Sequence, residues 1–313
     1  MQPKSCFEMK QRTLKRAYEF EGKGLHTGTF SHMTLSPAPV DTGIVFVRTD
    51  MEDAQIPALA EFVTTTARST TIASGEAQAV TVEHILSALL GLGVDNAKIS
   101  LDNLEVPILD GSARPYIEAI TSDGLEEQDA ERRYVEIPEA IEIKDDESGS
   151  WVRVEPADAP SFDVTADFGS RVLGVQTAHW DEDVDYPCEI GICRTFVFLH
   201  EIEFLLSHGL IKGGDIDNAI IVVEKPVEQE HLDEIASSLG YHGLFVTPEG
   251  YLSNLKLHFP NECGRHKLLD IMGDFCLCGG RLKAKVTAYK PGHKINTNAA
   301  KAVRKLLTTA SEE

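Results

Sequence analysis

The segment Arg265–Asp274 places one imidazole and two carboxylates among apolar residues. His266 and Asp270 are four residues apart, so on an α-helix both side chains lie on one face, as two ligands of one metal ion must. The remaining positions are largely apolar, which predicts a buried helix whose charged groups need partners. An isolated His-x-x-x-Asp pattern more often caps a helix or forms an ion pair. Burial between apolar flanks makes a metal site an equal alternative here.

A second imidazole, His84, begins another helical pattern and directly follows Glu83. A lone histidine at such a position is more often structural. A carboxylate beside a metal ligand, however, is well placed to take a proton from a water molecule at the metal. Together with His266 and Asp270, His84 completes three nitrogen or oxygen ligands and leaves one position open. That number suits catalytic zinc, whereas a structural zinc site normally has four protein ligands.

The dipeptide Gly292-His293 follows an apolar strand pattern and is predicted to lie in a loop. One interpretation is an ordinary turn histidine. The other is a general acid or electrostatic stabiliser, with the buried Asp274 carboxylate orienting the ring and raising its pKa.

Hydrophobic periodicity predicts the elements that position these residues. Most of Ser170–Gly191 is predicted to be loop, and the polar, acidic segment Ser122–Arg133 a linker. Helices are predicted at Val80–Leu90, Ala113–Ile120, Glu201–Ser207, Gln229–Leu239, Asn261–Leu277 and at the C-terminal end. Strands are predicted at Leu14–Phe20, Phe30–Ser36, Gly43–Val47, Ala97–Leu101, Tyr134–Ile137, Trp151–Val154, Phe162–Phe168, Thr195–Leu199, Ala219–Val223 and Leu282–Ala288.

The two halves of the chain share one order of elements: strands, a long helix, glycines, a strand, a loop and a helix. With 313 residues, the chain also exceeds the usual size of a single core. We therefore predict an α+β fold of two similar two-layer domains, residues 1–125 and 126–313. The long helices Val80–Leu90 and Asn261–Leu277 would meet at the interface, where ligand sites are common. The first domain would supply Glu83 and His84, and the second His266, Asp270 and His293.

Composition excludes several classes of function. The net charge of −21 argues against a nucleic-acid-binding protein, which needs a basic surface. The N-terminal residues lack the apolar stretch of a secretory signal, and no run approaches the length of a transmembrane helix. The six cysteines form no C-x-x-C pair, which is typical of reduced thiols and predicts a cytoplasmic protein.

Several blocks of the sequence resemble one known family, the UDP-3-O-acyl-N-acetylglucosamine deacetylases, the zinc amidohydrolases of lipid A biosynthesis. The blocks keep the family's order from about residue 13 to 298, so the resemblance covers nearly the whole chain. They are Gly24-Leu-His-Thr-Gly28, Thr81-Val-Glu-His84 with Ala88–Asn96, Val106–Ala113, Arg194-Thr-Phe196, Gly213–Ala219, His266-Lys-Leu-Leu-Asp270 with Gly273-Asp274, and Gly292-His-Lys-Ile-Asn296.

The resemblance implies a role for each matching residue. His84, His266 and Asp270 would hold Zn²⁺; these donors accept Fe²⁺ as well, so the sequence leaves open which of the two metals is bound in the cell. Glu83 would be the general base for the water that attacks the acetamide carbonyl, releasing acetate from an acylated UDP-amino sugar. His293, oriented by Asp274, would be the general acid or would stabilise the oxyanion. Thr195 would donate a hydrogen bond to the oxyanion. The nucleotide-sugar side would be lined by Phe196, Lys267 and Lys290.

The same resemblance implies an apolar passage for the fatty acyl chain at about residues 194–218. The apolar residues that suit it are Phe198, Ile202, Phe204, Leu205 and Leu206. Family members fold as two α+β domains with the site between them.

Two features depart from the family pattern. The helical stretch Glu228–Leu239 is extra and resembles a Bacteroidetes-type variant, some members of which continue into an acyl-carrier-protein dehydratase domain. Such a domain would be absent from this chain, or removed. Val197 replaces a more usual glycine, which affects the shape of the passage rather than the chemistry.

Two rival functions stay open. One is a zinc hydrolase with a different substrate, such as another amino-sugar deacetylase or an amidase; the acyl-passage and histidine-loop matches disfavour it. The other is a non-catalytic carbohydrate- or lipid-binding protein. Such a protein is expected to lose Glu83, His293 or a metal ligand, and all of these are present.

Overall fold

A computed structural model describes residues 9–202 and 216–310. Its helices are α1 (Glu83–Leu92), α2 (Arg114–Asp123), α3 (Tyr186–Glu189), α4 (Gln229–Ser238), α5 (Glu262–Cys276) and α6 (His293–Ala310). Its strands are β1 (Lys10–Leu14), β2 (Tyr18–Lys23), β3 (Phe30–Pro37), β4 (Ile44–Arg48), β5 (Ala54–Pro57), β6 (Val63–Thr65), β7 (Thr71–Ser74), β8 (Ala77–Val80), β9 (Ala97–Leu101), β10 (Leu125–Glu131), β11 (Tyr134–Glu136), β12 (Ile141–Asp145), β13 (Ser150–Pro156), β14 (Ser161–Asp167), β15 (Val175–Trp180), β16 (Phe196–Phe198), β17 (Ile220–Val222) and β18 (Arg281–Tyr289).

The two halves have the same sheet topology. In the first, the strand order is β2-β3-β9-β4-β5, and in the second it is β12-β13-β18-β14-β15. In both sheets the last strand of the chain order lies in the middle, parallel to one neighbour and antiparallel to the other. A long helix precedes that central strand in each half, α1 before β9 and α5 before β18. The predicted α+β fold with two similar sheet-and-helix layers is therefore confirmed, while the predicted boundary at residue 125 stays a prediction.

Helices α1 and α5 pack against each other between the two sheets. A Cβ atom added to Gly273 of α5 would lie 2.0 Å from the carbonyl oxygen of Glu83, so only glycine permits this close crossing. One continuous apolar core includes residues of both helices, among them Leu86, Leu89, Met272 and Phe275. The crossing brings the first turn of α1 beside the middle of α5, where the predicted metal ligands lie.

Three sequence-based predictions of local structure were wrong. The predicted linker contains β10, which pairs with β1 about 115 positions earlier in the chain, between partners such as Leu14 and Leu125. The segment predicted as loop contains β15, paired with β14, and α3, whose first turn is capped by Asp185. His293 is the first residue of α6 rather than a loop residue. The elements β10, β15 and α3 are short or largely polar, so their hydrophobic periodicity is weak, whereas α6 was predicted and only its first residue differs.

Other element boundaries moved by a few residues. The strand predicted at Leu14–Phe20 is two strands, β1 and β2, and the helix predicted from Val80 begins at Glu83 after β8. Residues 199–202 are helical, and the rest of the helix predicted at Glu201–Ser207 lies outside the described residues.

The extra segment after β17 folds onto the small parallel sheet β16-β17. Leu232 and Ile235 of α4 pack with Val197 and Ile221 on one face of that sheet. Tyr251 also pairs with Val222 along the edge of β17. The predicted helix at Gln229–Leu239 is thus confirmed, and its burial explains its amphipathic pattern. Among the described residues, no helix has the length and apolar character needed to cross a membrane.

Candidate metal centre

The first turn of α1 is held in place by an unusual backbone. Thr81 has φ of +59°, which is rare for a β-branched residue and costs free energy. Its hydroxyl donates to Glu105 Oε1 at 2.6 Å, and the Glu105 side chain is completely buried. The same carboxylate accepts the backbone N–H groups of His26 and Thr27. This network fixes the turn that aims Glu83 and His84 into the interface.

Three buried side chains from the two halves converge beside the helix crossing. The Asp270 Oδ1 atom lies 3.3 Å from His266 Nε2 and 3.9 Å from His84 Nε2. One ligand atom from each of the three residues lies within 4.8 Å of the other two. The three residues are at most 5% exposed. Two nitrogens and one oxygen at these separations can coordinate one small metal ion.

The groups around the three side chains favour the protonation states that bind a cation. The His266 Nδ1 atom lies 3.0 Å from the Cys193 carbonyl oxygen, so Nδ1 carries the proton and Nε2 presents its lone pair toward Asp270. Burial lowers the pKa of His84 to about 3 and also lowers the pKa of His266. Both rings are therefore neutral, as ligands must be. These donors fit a zinc ion.

Asp270 is ionised in the same site. Burial alone would raise its pKa, but the Lys267 ammonium, together with the protonated His293, outweighs burial and holds the pKa well below its usual range. Lys267 Nζ donates to Asp270 Oδ2 at 2.8 Å. The two carboxylate oxygens thus have different partners: Oδ2 binds the lysine, and Oδ1 faces the imidazoles.

Glu83 and His293 form a second pair next to the three ligands. Glu83 Oε1 lies 3.6 Å from His293 Nε2. Burial raises the pKa of Glu83 to about 7. Burial would lower the pKa of His293, but the Asp274 and Glu83 carboxylates outweigh it and raise that pKa to about 9. The site therefore contains a carboxylate that can accept a proton near neutral pH and an imidazolium that can donate one.

Asp274 lies behind His293 and is fully buried. Its Oδ2 atom is 3.0 Å from His293 Nδ1 and accepts the Asn296 amide N–H at 2.9 Å. Its Oδ1 atom accepts the Thr70 hydroxyl at 2.5 Å. The structure thus brings Asp274 and His293 together as the sequence predicted, and adds two partners that were not predicted.

Two of the other predicted site residues, Phe196 and Lys267, contact the ligands, whereas Thr195 and Lys290 contact other residues. Phe196 makes an edge contact with His266, with ring centroids 6.4 Å apart, and the Lys267 ammonium lies 5.4 Å from the Phe196 ring centroid. Thr195 is partly buried, and its backbone N–H donates to the Gly111 carbonyl. Lys290 pairs with Asp167 at 3.4 Å.

A buried ion pair supports Thr195 and the strand β16, which begins at Phe196. Arg194 Nε donates to Glu262 Oε1 at 2.9 Å, and both side chains are at least nine-tenths buried. Glu262 is the first residue of α5, so the pair ties this strand to the ligand-bearing helix. The sequence pattern did not reveal the pair, because its members are 68 positions apart.

The predicted acyl passage is described only in part. Phe198 stacks on His200 and makes an edge contact with Phe196, while Ile202 is buried in the cluster beneath α4. Phe204, Leu205 and Leu206 lie outside the described residues.

Comparison with known proteins adds a family. Residues 11–236 and 240–305 match the family model described as UDP-3-O-acyl N-acetylglycosamine deacetylase. A UDP-3-O-acyl-N-acetylglucosamine deacetylase of Myxococcus xanthus is 39% identical over 303 residues, covering 96% of this chain and 87% of that protein. A bifunctional enzyme LpxC/FabZ of Porphyromonas gingivalis is 42% identical over 297 residues, covering 95% of this chain.

The chain spans 64% of the length of that bifunctional relative. A second bifunctional enzyme LpxC/FabZ, from Chlorobaculum tepidum, is 42% identical over 94% of this chain, which again spans 64% of the relative's length. The names of these relatives confirm the expectation that some similar proteins combine this unit with a second activity.

Proposed function

The chain belongs to the UDP-3-O-acyl N-acetylglycosamine deacetylase family, and on that premise we propose that it removes an N-acetyl group from an acylated UDP-amino sugar. The substrate is UDP-3-O-(3-hydroxyacyl)-N-acetylglucosamine, and acetate is released in a step of lipid A biosynthesis. His84, His266 and Asp270 hold the Zn²⁺ ion. The observation that carries this proposal is the convergence of these three buried ligand atoms beside Glu83 and His293.

Zinc, when bound, supplies Lewis-acid polarisation of the carbonyl and lowers the pKa of a coordinated water. Glu83 takes a proton from the attacking water, since its carboxylate is buried and its pKa lies near neutrality. His293 begins the reaction protonated and donates to the leaving amine, or stabilises the developing oxyanion together with the Thr195 hydroxyl. Asp274 keeps the His293 ring oriented and charged.

The sugar nucleotide lies on the side of Phe196, Lys267 and Lys290. The two ammonium groups are partly exposed and already paired with carboxylates, so each lies in a fixed position to approach a diphosphate. The acyl chain extends along the apolar residues after Arg194, including Phe198. The rival function of a non-catalytic binding protein gains no support, because Glu83, His293 and the three ligands all lie in one site. A cytoplasmic location and Fe²⁺ as an alternative metal stay predictions.

The test is acetate release from the acylated UDP-sugar by purified protein and two variants. Glu83→Ala and His293→Ala are each expected to lower kcat by about 10²- to 10⁴-fold, the usual contribution of a general acid or base. The control is His179→Ala, which removes a half-exposed histidine that also pairs with an aspartate; it is expected to leave kcat unchanged. Full activity in either active-site variant would contradict the assigned roles.

A further inference from the structure

One buried threonine connects the two carboxylates on which the chemistry depends. Thr70 immediately precedes β7 and is 0% exposed. Its backbone N–H donates to Glu83 Oε2 at 3.0 Å, and its hydroxyl donates to Asp274 Oδ1 at 2.5 Å. Glu83 belongs to the first half of the chain and Asp274 to the second. Thr70 therefore spans the interface between the halves at the site itself.

The Thr70 hydroxyl completes the hydrogen bonding of Asp274. The Oδ2 atom of this carboxylate is shared by His293 and Asn296, while Oδ1 accepts from Thr70. A hydrogen bond from a hydroxyl to a buried carboxylate is short and strong. With both oxygens held, the carboxylate cannot rotate about its Cβ–Cγ bond, so Oδ2 stays aimed at the His293 ring.

The backbone of Thr70 is positioned independently of its hydroxyl. The Thr70 carbonyl accepts the Val82 N–H at 3.3 Å, just before α1. Arg68, two residues earlier, has φ of +69°, which sets the sharp turn into this strand. Replacing only the side chain therefore leaves the N–H donor to Glu83 in place. The contribution of the hydroxyl can be measured separately.

We propose that Thr70 is a positioning residue whose hydroxyl locks the Asp274 carboxylate and thereby holds the His293 imidazole in its catalytic orientation. The effect on turnover rests on the proposed function, whereas the effect on the His293–Asp274 hydrogen bond does not. Thr70 touches neither substrate nor metal ligand among the described contacts. The influence of its hydroxyl passes through Asp274.

The first experiment compares Thr70→Val, which keeps the shape and loses the hydroxyl, with Thr70→Ser, which keeps the hydroxyl. Steady-state acetate release is measured on zinc-loaded protein. Thr70→Val is expected to lower kcat by about 10- to 100-fold, as loss of an orienting partner commonly does, with KM and zinc content unchanged. Thr70→Ser is expected to restore most of the rate.

A matched control removes a buried threonine hydroxyl elsewhere. Thr13 is 4% exposed, and its hydroxyl donates to the Asn96 carbonyl at 2.7 Å. Asn96 follows the C-terminal end of α1, the end opposite to Glu83 and His84. Thr13→Val is expected to lower thermal stability without lowering kcat. An equal loss of kcat in Thr13→Val and Thr70→Val would overturn the proposal, as would a Thr70→Ser variant no more active than Thr70→Val.

The second experiment measures the His293–Asp274 hydrogen bond directly, by proton NMR. In the zinc-loaded protein, the His293 Nδ1 proton bonded to Asp274 should give a far-downfield proton resonance, assigned by its loss in His293→Gln. Thr70→Val is expected to shift or broaden this resonance, and Thr70→Ser to retain it. An unchanged resonance in Thr70→Val would overturn the proposal even if the protein deacetylates its substrate. Absence of acetate release by the unaltered protein would instead refute the proposed function, and the resonance would still decide the role of Thr70.

Discussion

Replacing Asp274 with asparagine is expected to shift the alkaline limit of activity. Burial lowers the pKa of His293, while the Asp274 and Glu83 carboxylates raise it from 6.5 to about 9. Asp274→Asn keeps the size of the side chain but removes the carboxylate that raises the His293 pKa more strongly. The His293 pKa should then fall toward or below 6.5, so the ring loses its proton at a lower pH. A general acid that has lost its proton cannot serve the leaving amine.

The expected magnitude follows from the two pKa values. At pH 8, a group with a pKa of about 9 is about nine-tenths protonated, whereas one with a pKa of about 6.5 is about 3% protonated. Asp274→Asn should therefore lower kcat about 30-fold at pH 8 and less than about twofold at pH 6. A fall of the His293 pKa from about 9 to about 6.5 corresponds to a change of about 3.4 kcal/mol in the free energy of protonating this ring.

The assay is acetate release from the acylated UDP-sugar across the pH range, with saturating substrate and measured zinc content. Asp163→Asn is the matched control, because Asp163 also pairs with a histidine, His179 at 2.7 Å, on an exposed surface. It should leave the pH profile unchanged. An Asp274→Asn variant whose rate still declines only near pH 9 would refute the electrostatic role of Asp274. So would a loss of the same size at pH 6 and pH 8.

Three further predictions concern stability and metal dose. Glu262→Gln leaves the buried Arg194 charge without its carboxylate and should lower the free energy of unfolding by about 3–5 kcal/mol, measured by urea denaturation; a change below about 1 kcal/mol would contradict the importance of this pair. Leu232→Ala removes an almost fully buried side chain from the core between α4 and β16-β17. It should lower the free energy of unfolding by about 2–5 kcal/mol. Limited protease digestion of this variant should begin in this segment, and digestion that began elsewhere would argue against that local core. Zinc added beyond one equivalent should inhibit acetate release, because a second ion can bind the Glu83 carboxylate and keep it from accepting a proton from the attacking water; unchanged rates in excess zinc would contradict binding of a second ion at Glu83.

The parts of the fold that periodicity predicted are those with a buried apolar face. The long helix that carries His266 and Asp270 was predicted to within one residue at each end, since apolar residues surround its polar ones. The repeated order of elements predicted two similar layers, and the common strand order of the two sheets confirms that prediction. By contrast, β10 is mostly exposed, so its sequence resembles that of a linker. Only its pairing with β1 makes it a strand.

The same distinction applies to the site. His266 and Asp270 were recognisable because both lie on one helix. Thr70, by contrast, lies in a run of hydroxyl residues, Ser69-Thr70-Thr71, without a period that singles one out. Its importance comes from Asp274, 204 positions later in the chain. Contacts of that kind depend on the packing of α1 against α5, which no local pattern specifies.

A zinc titration tests the central claim most directly. The protein is stripped of metal with a chelator, and acetate release from the acylated UDP-sugar is measured as Zn²⁺ is returned. The three ligands, His84, His266 and Asp270, predict that activity rises in proportion to bound zinc and is complete at about one equivalent per chain. Asp270→Ala should bind little zinc and stay inactive. Full activity in the metal-free protein, or stoichiometric zinc in Asp270→Ala, would contradict a catalytic zinc site at these residues.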